Sequence, residues 1–201
     1  MSVSGALRAR RSCRSFSSRP LEQELVDDLV DRARRTPTAG NSQGVEFLVL
    51  DSSEAVATYW DASLSDDVRS SFAFPGLLRA PLLVVPFGLP ERYLDRYSEP
   101  DKVMTGMGSE EECWSVPFWL VDAAFAAMAL QLLAVELGFG CCFFGLFAQE
   151  TPIRERFGIP GEARAIGTVA IGHPESVGER PGRSAQRARR PLGEVLHRGC
   201  W

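Results

Sequence analysis

Arg10, Arg11 and Arg14 fall within RRSCRSF (residues 10–16), interleaved with Ser12 and Cys13. If that stretch is extended, side-chain alternation puts Arg10, Ser12 and Arg14 on one side and Arg11 and Cys13 on the other. Two guanidinium forks and a hydroxyl then converge on one point. Such a set suits a phosphate monoester, because an arginine can bond two phosphate oxygens at once and does not lose its charge. A solvated basic turn is the alternative that a short arginine cluster also fits. A second stretch, RTPTAGNSQGVEFLVL (35–50), runs Thr, Ala, Gly, Asn, Ser and Gln directly into an apolar segment. Small residues there allow close backbone approach, and amides suit a polar planar ligand. Taken alone, it is equally an ordinary connection from helix to strand.

The bulk composition limits what these stretches can serve. The chain has 201 residues, 45 % hydrophobic and 24 % charged, enough for a substantial core in one domain spanning 1–201. A formal net charge of -4 argues against a nucleic-acid or membrane-surface partner, so any basic site is local. The 5 cysteines are odd in number and scattered apart from the Cys141–Cys142 pair, with no CxxC, which favours reduced thiols and a cytoplasmic location. With only His173 and His197 and no cysteine cluster at zinc spacing, no metal is expected. The start, MSVSGALRARRS, lacks the apolar core of a secretory signal.

The elements that must position these residues alternate along the chain. Residues 2–9 suit a short helix, and LEQELVDDLVDRARR after Pro20 is amphipathic, with Leu21, Leu25, Leu29 and Ala33 at helical spacing. VEFLVL (45–50), PLLVVPF (81–87) and ARAIGTVAIG (163–172) are strand-like. DSSE (51–54) has the spacing of a capping box, and TPIRERF (151–157) suits a short helix with Thr151 as cap. Residues 88–115, rich in Gly, Pro, Tyr and charge, look like an insertion or lid. VPFWLVDAAFAAMALQLLAVELGFG (116–140) is apolar over about the ~20 residues a membrane span needs. Asp122, Gln131 and Glu136 interrupt it and no basic cluster flanks it, so a central core helix is expected, in the middle of a domain or of a dimer. Asp122 is then a hydrogen-bonded packing carboxylate, and Cys141 and Cys142 are small buried hydrophobes. The sum is a three-layer α+β domain.

RRSCRSF, TPTAGNSQ, GFGCCFFGLF (138–147), AIGTVAIGHPE and RARRPLGEVL follow one another in an order that resembles the flavin-dependent nitroreductase family, across residues 4–198. The resemblance implies a central, mainly antiparallel sheet flanked by helices, and a homodimer with FMN at the subunit interface. It also implies an extended C-terminal arm reaching the dimer partner. Arg10, Arg11, Ser12 and Arg14 would hold the flavin's phosphate and ribityl chain, with Arg14 also at the pyrimidine edge of the ring. Pro37, Thr38, Ala39, Asn41 and Gln43 would contribute from the other subunit. Phe144, Gly145 and Leu146 match the backbone beside the ring, where an N–H at Gly145 or Leu146 would face N5. Arg187 and Arg189 match a basic pair that closes on the phosphate.

The activity implied is FMN-dependent: hydride from NAD(P)H, then reduction of a nitroaromatic, quinone or related small acceptor, in ping-pong order. No catalytic side chain is needed, since flavin N5 carries the chemistry. The chain departs from the family where Gln-Pro-Trp is usual and Gln43-Gly44-Val45 stands instead, which removes a ring wall and opens the question of substrate. Residues 88–119, with Tyr93, Tyr97, Met104, Met107, Trp114 and Trp119, are the expected substrate face. Two alternatives remain open at this point: a specialised flavin-dependent dehydrogenase of a biosynthetic intermediate, and a flavin-binding or flavin-sequestering protein without turnover.

Overall fold

LLVVPFG, residues Leu82–Gly88, is buried at every position and forms the spine of an antiparallel sheet. A run of Leu and Val with no polar alternation suits a strand covered on both faces. The computed structural model describes residues 1–146, 150–175 and 187–201. Its main elements in chain order are α1 (Val3–Ala9), α2 (Gln23–Ala33), β1 (Val45–Leu50), α3 (Ser53–Ser63), α4 (Asp66–Ser70), β2 (Leu82–Gly88), α5 (Pro90–Ser98), α6 (Phe118–Glu136), β3 (Gly140–Phe144), α7 (Glu150–Phe157), β4 (Arg164–Ala165) and β5 (Thr168–Gly172).

Every strand pairing is antiparallel. β1 pairs with β2 from Val45↔Gly88 to Leu50↔Leu83, while β5 takes Leu82 to Val84 and β4 takes Phe87 and Gly88. The expected single strand over 163–172 is therefore broken at Ile166–Gly167, where Gly167 adopts φ +139°. Pro86, which has no N–H to donate, lies opposite that break, a place where a central strand can hold a proline.

Alternation along the strands divides the core. Leu82, Val84, Val169, Ile171 and Cys141 face α2 and α6, packing on Val26, Leu29, Ala127 and Leu130. Leu83, Val85, Ala170 and Cys142 face the other way, onto Val56, Tyr59, Trp60 and Ile153 of α3 and α7. The result is helix, sheet and helix in three layers, the α+β architecture expected.

Some local expectations shift. GFGCCFFGLF was not expected to hold a strand, yet Gly140–Phe144 pairs with β5 along its whole length. The cap of α3 is Ser52, whose hydroxyl accepts from the Ala55 N–H, one residue later than the DSSE spacing suggests. α7 begins at Glu150, so Thr151 lies inside it rather than at its cap. The long apolar helix is α6; Trp119, Ala123, Ala126 and Leu130 are buried against the fold, while Phe118 and Phe125 are exposed.

Candidate functional site

RRSCRSF is extended and joins the sheet. Ser12 bridges Cys141 in parallel, Phe16 bridges Pro174, and the Cys13 N–H donates to the Cys141 carbonyl at 2.9 Å. Buried Cys13 and Phe16 anchor the segment from below. Close approach to β3 depends on Gly140, because a Cβ there would stand 2.8 Å from Cys13 Sγ. Arg79 fastens the far end, donating from Nε to the Phe16 carbonyl at 3.0 Å and from its terminal nitrogen to Glu175 at 2.8 Å.

With the backbone so fixed, Arg10 and Arg14 make no ion pair among the described residues, unlike Arg32, Arg79, Arg96 and Arg154. Arg14 lies over the Phe74 ring, 5.0 Å from its centroid. Burial pushes the Cys141 thiol up to about 11, and the nearby Arg10 charge opposes that rise. Cys142 is raised by burial in the same way, with Arg14 first among the charges opposing it. The two arginines thus project their fields onto the cysteine pair of β3. Arg11 behaves differently. Its guanidinium donates to the carbonyls of Arg8 and Arg10 at 2.6 and 2.9 Å, closing the end of α1. The structure therefore separates Arg11 from the Arg10, Ser12 and Arg14 group.

β3 leads from this cationic segment to Phe144, Gly145 and Leu146. Phe144 turns its ring onto Trp60, with centroids 5.6 Å apart and planes 17° from parallel. The N–H groups of Gly145 and Leu146 donate no hydrogen bond among the described residues. A cavity of about 270 Å³ opens here, walled by Trp60, Phe72, Phe74, Phe144 and Leu146, with Arg14 its one charged lining residue among the described residues. The buried Trp60 indole N–H also has no partner among the described residues. A dry donor of that kind is costly until something accepts from it. An apolar aromatic cavity beside one fixed cation and several free donors suits a planar, hydrogen-bond-accepting ring.

The loop carrying Pro37, Thr38, Ala39, Asn41 and Gln43 is built on α5 and α6. Gly40, Asn41 and Gln43 adopt φ of +62°, +55° and +53°. For the two non-glycine residues this left-handed backbone costs on the order of 1 kcal/mol each and needs support from elsewhere. Thr38 Oγ1 supplies part of it by accepting from the Gln43 N–H at 2.9 Å. Asn41 and Gln43 are exposed, and their side-chain amides make no hydrogen bond among the described residues. Asp122 on α6, 2 % exposed, accepts from the Ala39 N–H at 2.8 Å and from Tyr93 Oη at 2.9 Å. It is the packing carboxylate the sequence suggests, with partners the sequence did not identify.

Trp114 and Trp119 are placed inside the excursion, at 6 % and 5 % exposure, in an aromatic cluster with Tyr93. The Trp114 indole donates to the Met107 carbonyl at 2.8 Å, and its ring meets Tyr97 edge-on at 4.7 Å. Within one chain, neither indole offers a free face. Arg187 and Arg189 are exposed on the C-terminal segment. Sequence reasoning missed Arg96, Trp60 and Phe74 and placed Tyr93 only on the substrate face; nothing in their spacing marks their contacts, because these depend on what the fold brings beside them.

The pattern that defines the Nitroreductase family matches residues 7–173. A Methanothermobacter thermautotrophicus protein whose name gives NADH dehydrogenase/NAD(P)H nitroreductase as its candidate activity is 25 % identical over 186 residues, covering 90 % of this chain and 81 % of that protein. An NADPH-dependent oxidoreductase of Staphylococcus aureus is 22 % identical over 97 % of this chain and 72 % of its own length. Among solved structures, a Clostridium difficile nitroreductase family protein superposes with TM-score 0.70 at 24 % identity, covering 100 % of both chains. A nitroreductase-type structure from Exiguobacterium sibiricum in complex with FMN superposes with TM-score 0.75 at 19 % identity, covering 98 % of this chain and 97 % of that one. With 167 consecutive residues matched and the fold shared over its whole length, the chain belongs to the Nitroreductase family.

Proposed function

We propose that this protein is an FMN-dependent oxidoreductase that draws on NAD(P)H and reduces a nitroaromatic, a quinone or a related small acceptor. The observation that carries this reading is one extended segment in which Arg10 and Arg14 have no carboxylate partner among the described residues, with Arg14, which donates to the Ser12 carbonyl at 3.4 Å, standing on the wall of an aromatic cavity near free backbone donors. Those residues fit FMN in kind. Cations without carboxylate partners answer a phosphate dianion, and the Arg14 charge with the Gly145 and Leu146 N–H groups answers an electron-rich ring. When bound, FMN supplies the redox chemistry itself, accepting hydride from the nicotinamide and passing electrons to the acceptor in ping-pong order.

The chain's own residues hold and shield. Arg10 and Ser12 bind phosphate and ribityl oxygens, joined by Arg187 and Arg189 from the C-terminal segment; Arg11 secures the backbone that presents them. Arg14 would supply positive charge beside the ring and so favour its taking up negative charge. Phe144 and Trp60 exclude water from the ring's surroundings.

A homodimer completes the reading. Phe118, Val121, Phe125, Met128 and Leu132 recur at the three-and-four spacing of a helix-packing seam on α6. Phe118 and Phe125 are 37 % and 47 % exposed on it, and Val3 and Leu7 of α1 are exposed too. A stripe of that kind calls for a second copy. The loop from Pro37 to Gln43 then serves the flavin of the other subunit.

The test is the visible absorption spectrum of the purified protein, with added FMN and then, without oxygen, NADH or NADPH. A bound-flavin spectrum that bleaches with either donor supports the proposal. A bound flavin that resists both points to sequestration, and failure to bind FMN overturns the assignment of Arg10, Ser12 and Arg14.

A further inference from the structure

The loop from Pro37 to Gly44 holds an unusual backbone for its sequence. Asn41 and Gln43 both sit in left-handed conformations beside Gly40. Such a loop keeps one shape only if its surroundings over-determine it, and three contacts outside the loop do so. Asp122 Oδ2 accepts from the Ala39 N–H, and the same oxygen accepts from Tyr93 Oη. Arg96 donates from Nε to the Gly40 carbonyl at 2.8 Å while its terminal nitrogens grip both Asp101 oxygens at 2.7 and 2.8 Å. The third contact is steric. A Cβ on Gly40 would stand 2.8 Å from the Tyr97 ring, and one on Gly44 would stand 2.5 Å from the Tyr93 ring. The loop therefore lies flat on two tyrosines of α5, and the Gly44 carbonyl accepts from the Leu89 N–H at 2.8 Å.

This packing accounts for Gly44 where the family usually has proline: the Tyr93 ring occupies the space a side chain at 44 would need. Tyr93 is itself fully buried by Trp114 and Trp119. The excursion is thus a footing for the loop, and the two indoles work from beneath.

We propose that Asp122, Tyr93 and Arg96 are positioning residues that set the loop so that the free amides of Asn41 and Gln43 meet the flavin bound by the other subunit. The proposal rests on the FMN-dimer reading above. It makes the excursion a determinant of flavin affinity rather than a wall of the substrate site. It also ties that affinity to the dimer, because Asp122 is next in sequence to Val121 on the α6 seam, so one helix carries both the seam and the carboxylate that fixes the loop.

The experiment compares wild-type holoprotein with Tyr93→Phe, Asp122→Ala, Arg96→Ala and Arg96→Lys. Dimer mass, thermal midpoint, FMN affinity by fluorescence quenching and the visible circular dichroism of the bound flavin are measured for each. Tyr93→Phe keeps the ring and so keeps the core. It is expected to fold and dimerise as wild type, to weaken FMN by about tenfold, as for one lost hydrogen bond to a charged group, and to change the flavin's dichroism. Asp122→Ala is expected to weaken FMN further, and Arg96→Lys to recover part of what Arg96→Ala loses.

A subunit-exchange test follows. Mixing Asp122→Ala with Arg14→Ala homodimers creates heterodimers in which one of two sites has both its own Arg14 and an intact partner loop. Tight FMN binding is then regained at roughly a quarter of all sites in an equal, freely exchanged mixture. Unchanged affinity and dichroism in folded, dimeric Tyr93→Phe and Asp122→Ala would overturn the proposal, as would exchanged heterodimers that regain no tight site. If wild type itself binds no FMN, the underlying flavin reading fails and the inference falls with it, a result distinct from wild-type binding that the variants leave untouched.

Discussion

Arg11 and Arg14 lie three positions apart in one motif, yet the fold gives them different neighbours. The Arg11 guanidinium is held by the carbonyls of Arg8 and Arg10, whereas Arg14 stands over Phe74 on the cavity wall. Arg14→Ala is therefore expected to weaken FMN by about 10- to 100-fold, the scale of hydrogen bonds to a charged group. Arg11→Ala should cost only a few-fold; equal losses in a flavin-fluorescence titration would contradict the separation seen here. Cys141 offers a test independent of flavin. Its thiol is raised by burial to about 11 from the usual 9.0, so between those values the native state holds a proton the unfolded state has released. Stability from this group is complete below pH about 9 and falls as pH rises towards about 11, by up to about 1.4 kcal/mol per pH unit. Cys142 and Tyr59 are raised by burial too, adding to the same slope. Urea midpoints measured from pH 8 to about 11 should fall less steeply in Cys141→Ala than in wild type.

Elements were legible in proportion to how completely their own residues determine them. β1 was readable because VEFLVL is apolar and bounded by Gly44 and Asp51, and α6 because an all-apolar stretch of helical length has few other uses. β3 was not, since its glycine, two cysteines and two phenylalanines carry no alternation. It is a strand because β5 on one side and RRSCRSF near its start supply partners distant in sequence. The arginine segment and the amide loop could be marked as candidate site from residue type and order. The clamp on that loop could not, because Ala39, Tyr93 and Asp122 meet only through tertiary packing. What α6 leaves uncovered leads to a further expectation. Phe125 is 47 % exposed at the middle of the seam, and a carboxylate there would be buried unpaired on association. Phe125→Asp should weaken the proposed dimer by about 2–4 kcal/mol, as truncating an interface anchor does. Sedimentation should show monomers at concentrations where wild type is dimeric, with FMN affinity falling in parallel because the loop then has no partner to serve. A dimer that survives intact would place the subunit contact elsewhere.

At the scale of the whole molecule, every residue from Arg187 to Trp201 is exposed, although Leu192, Val195, Leu196 and Trp201 are apolar and 71 %, 51 %, 44 % and 100 % exposed. Within the segment, Arg190 bonds Glu194 and the His197 and Trp201 rings stack 4.3 Å apart, both contacts being local. A segment with that much exposed apolar surface contributes little to the stability of its own chain and gains by lying on another. It also carries Arg187 and Arg189, the exposed pair proposed above to meet the phosphate. A chain ending at residue 186 is accordingly expected to retain its far-ultraviolet dichroism and, as a monomer, its unfolding midpoint. Dimer affinity and FMN affinity should instead fall together, the latter by about tenfold or more if both guanidinium groups bond the phosphate. Two controls separate the contributions. Arg187→Ala with Arg189→Ala should lose flavin while keeping the dimer, and Leu192→Ser with Leu196→Ser should weaken the dimer first. If truncation leaves both affinities unchanged, the arm reaches neither the partner nor the phosphate. If it instead lowers the monomer's own midpoint, the arm packs on its own domain, and the seam on α6 must hold the subunits together without it.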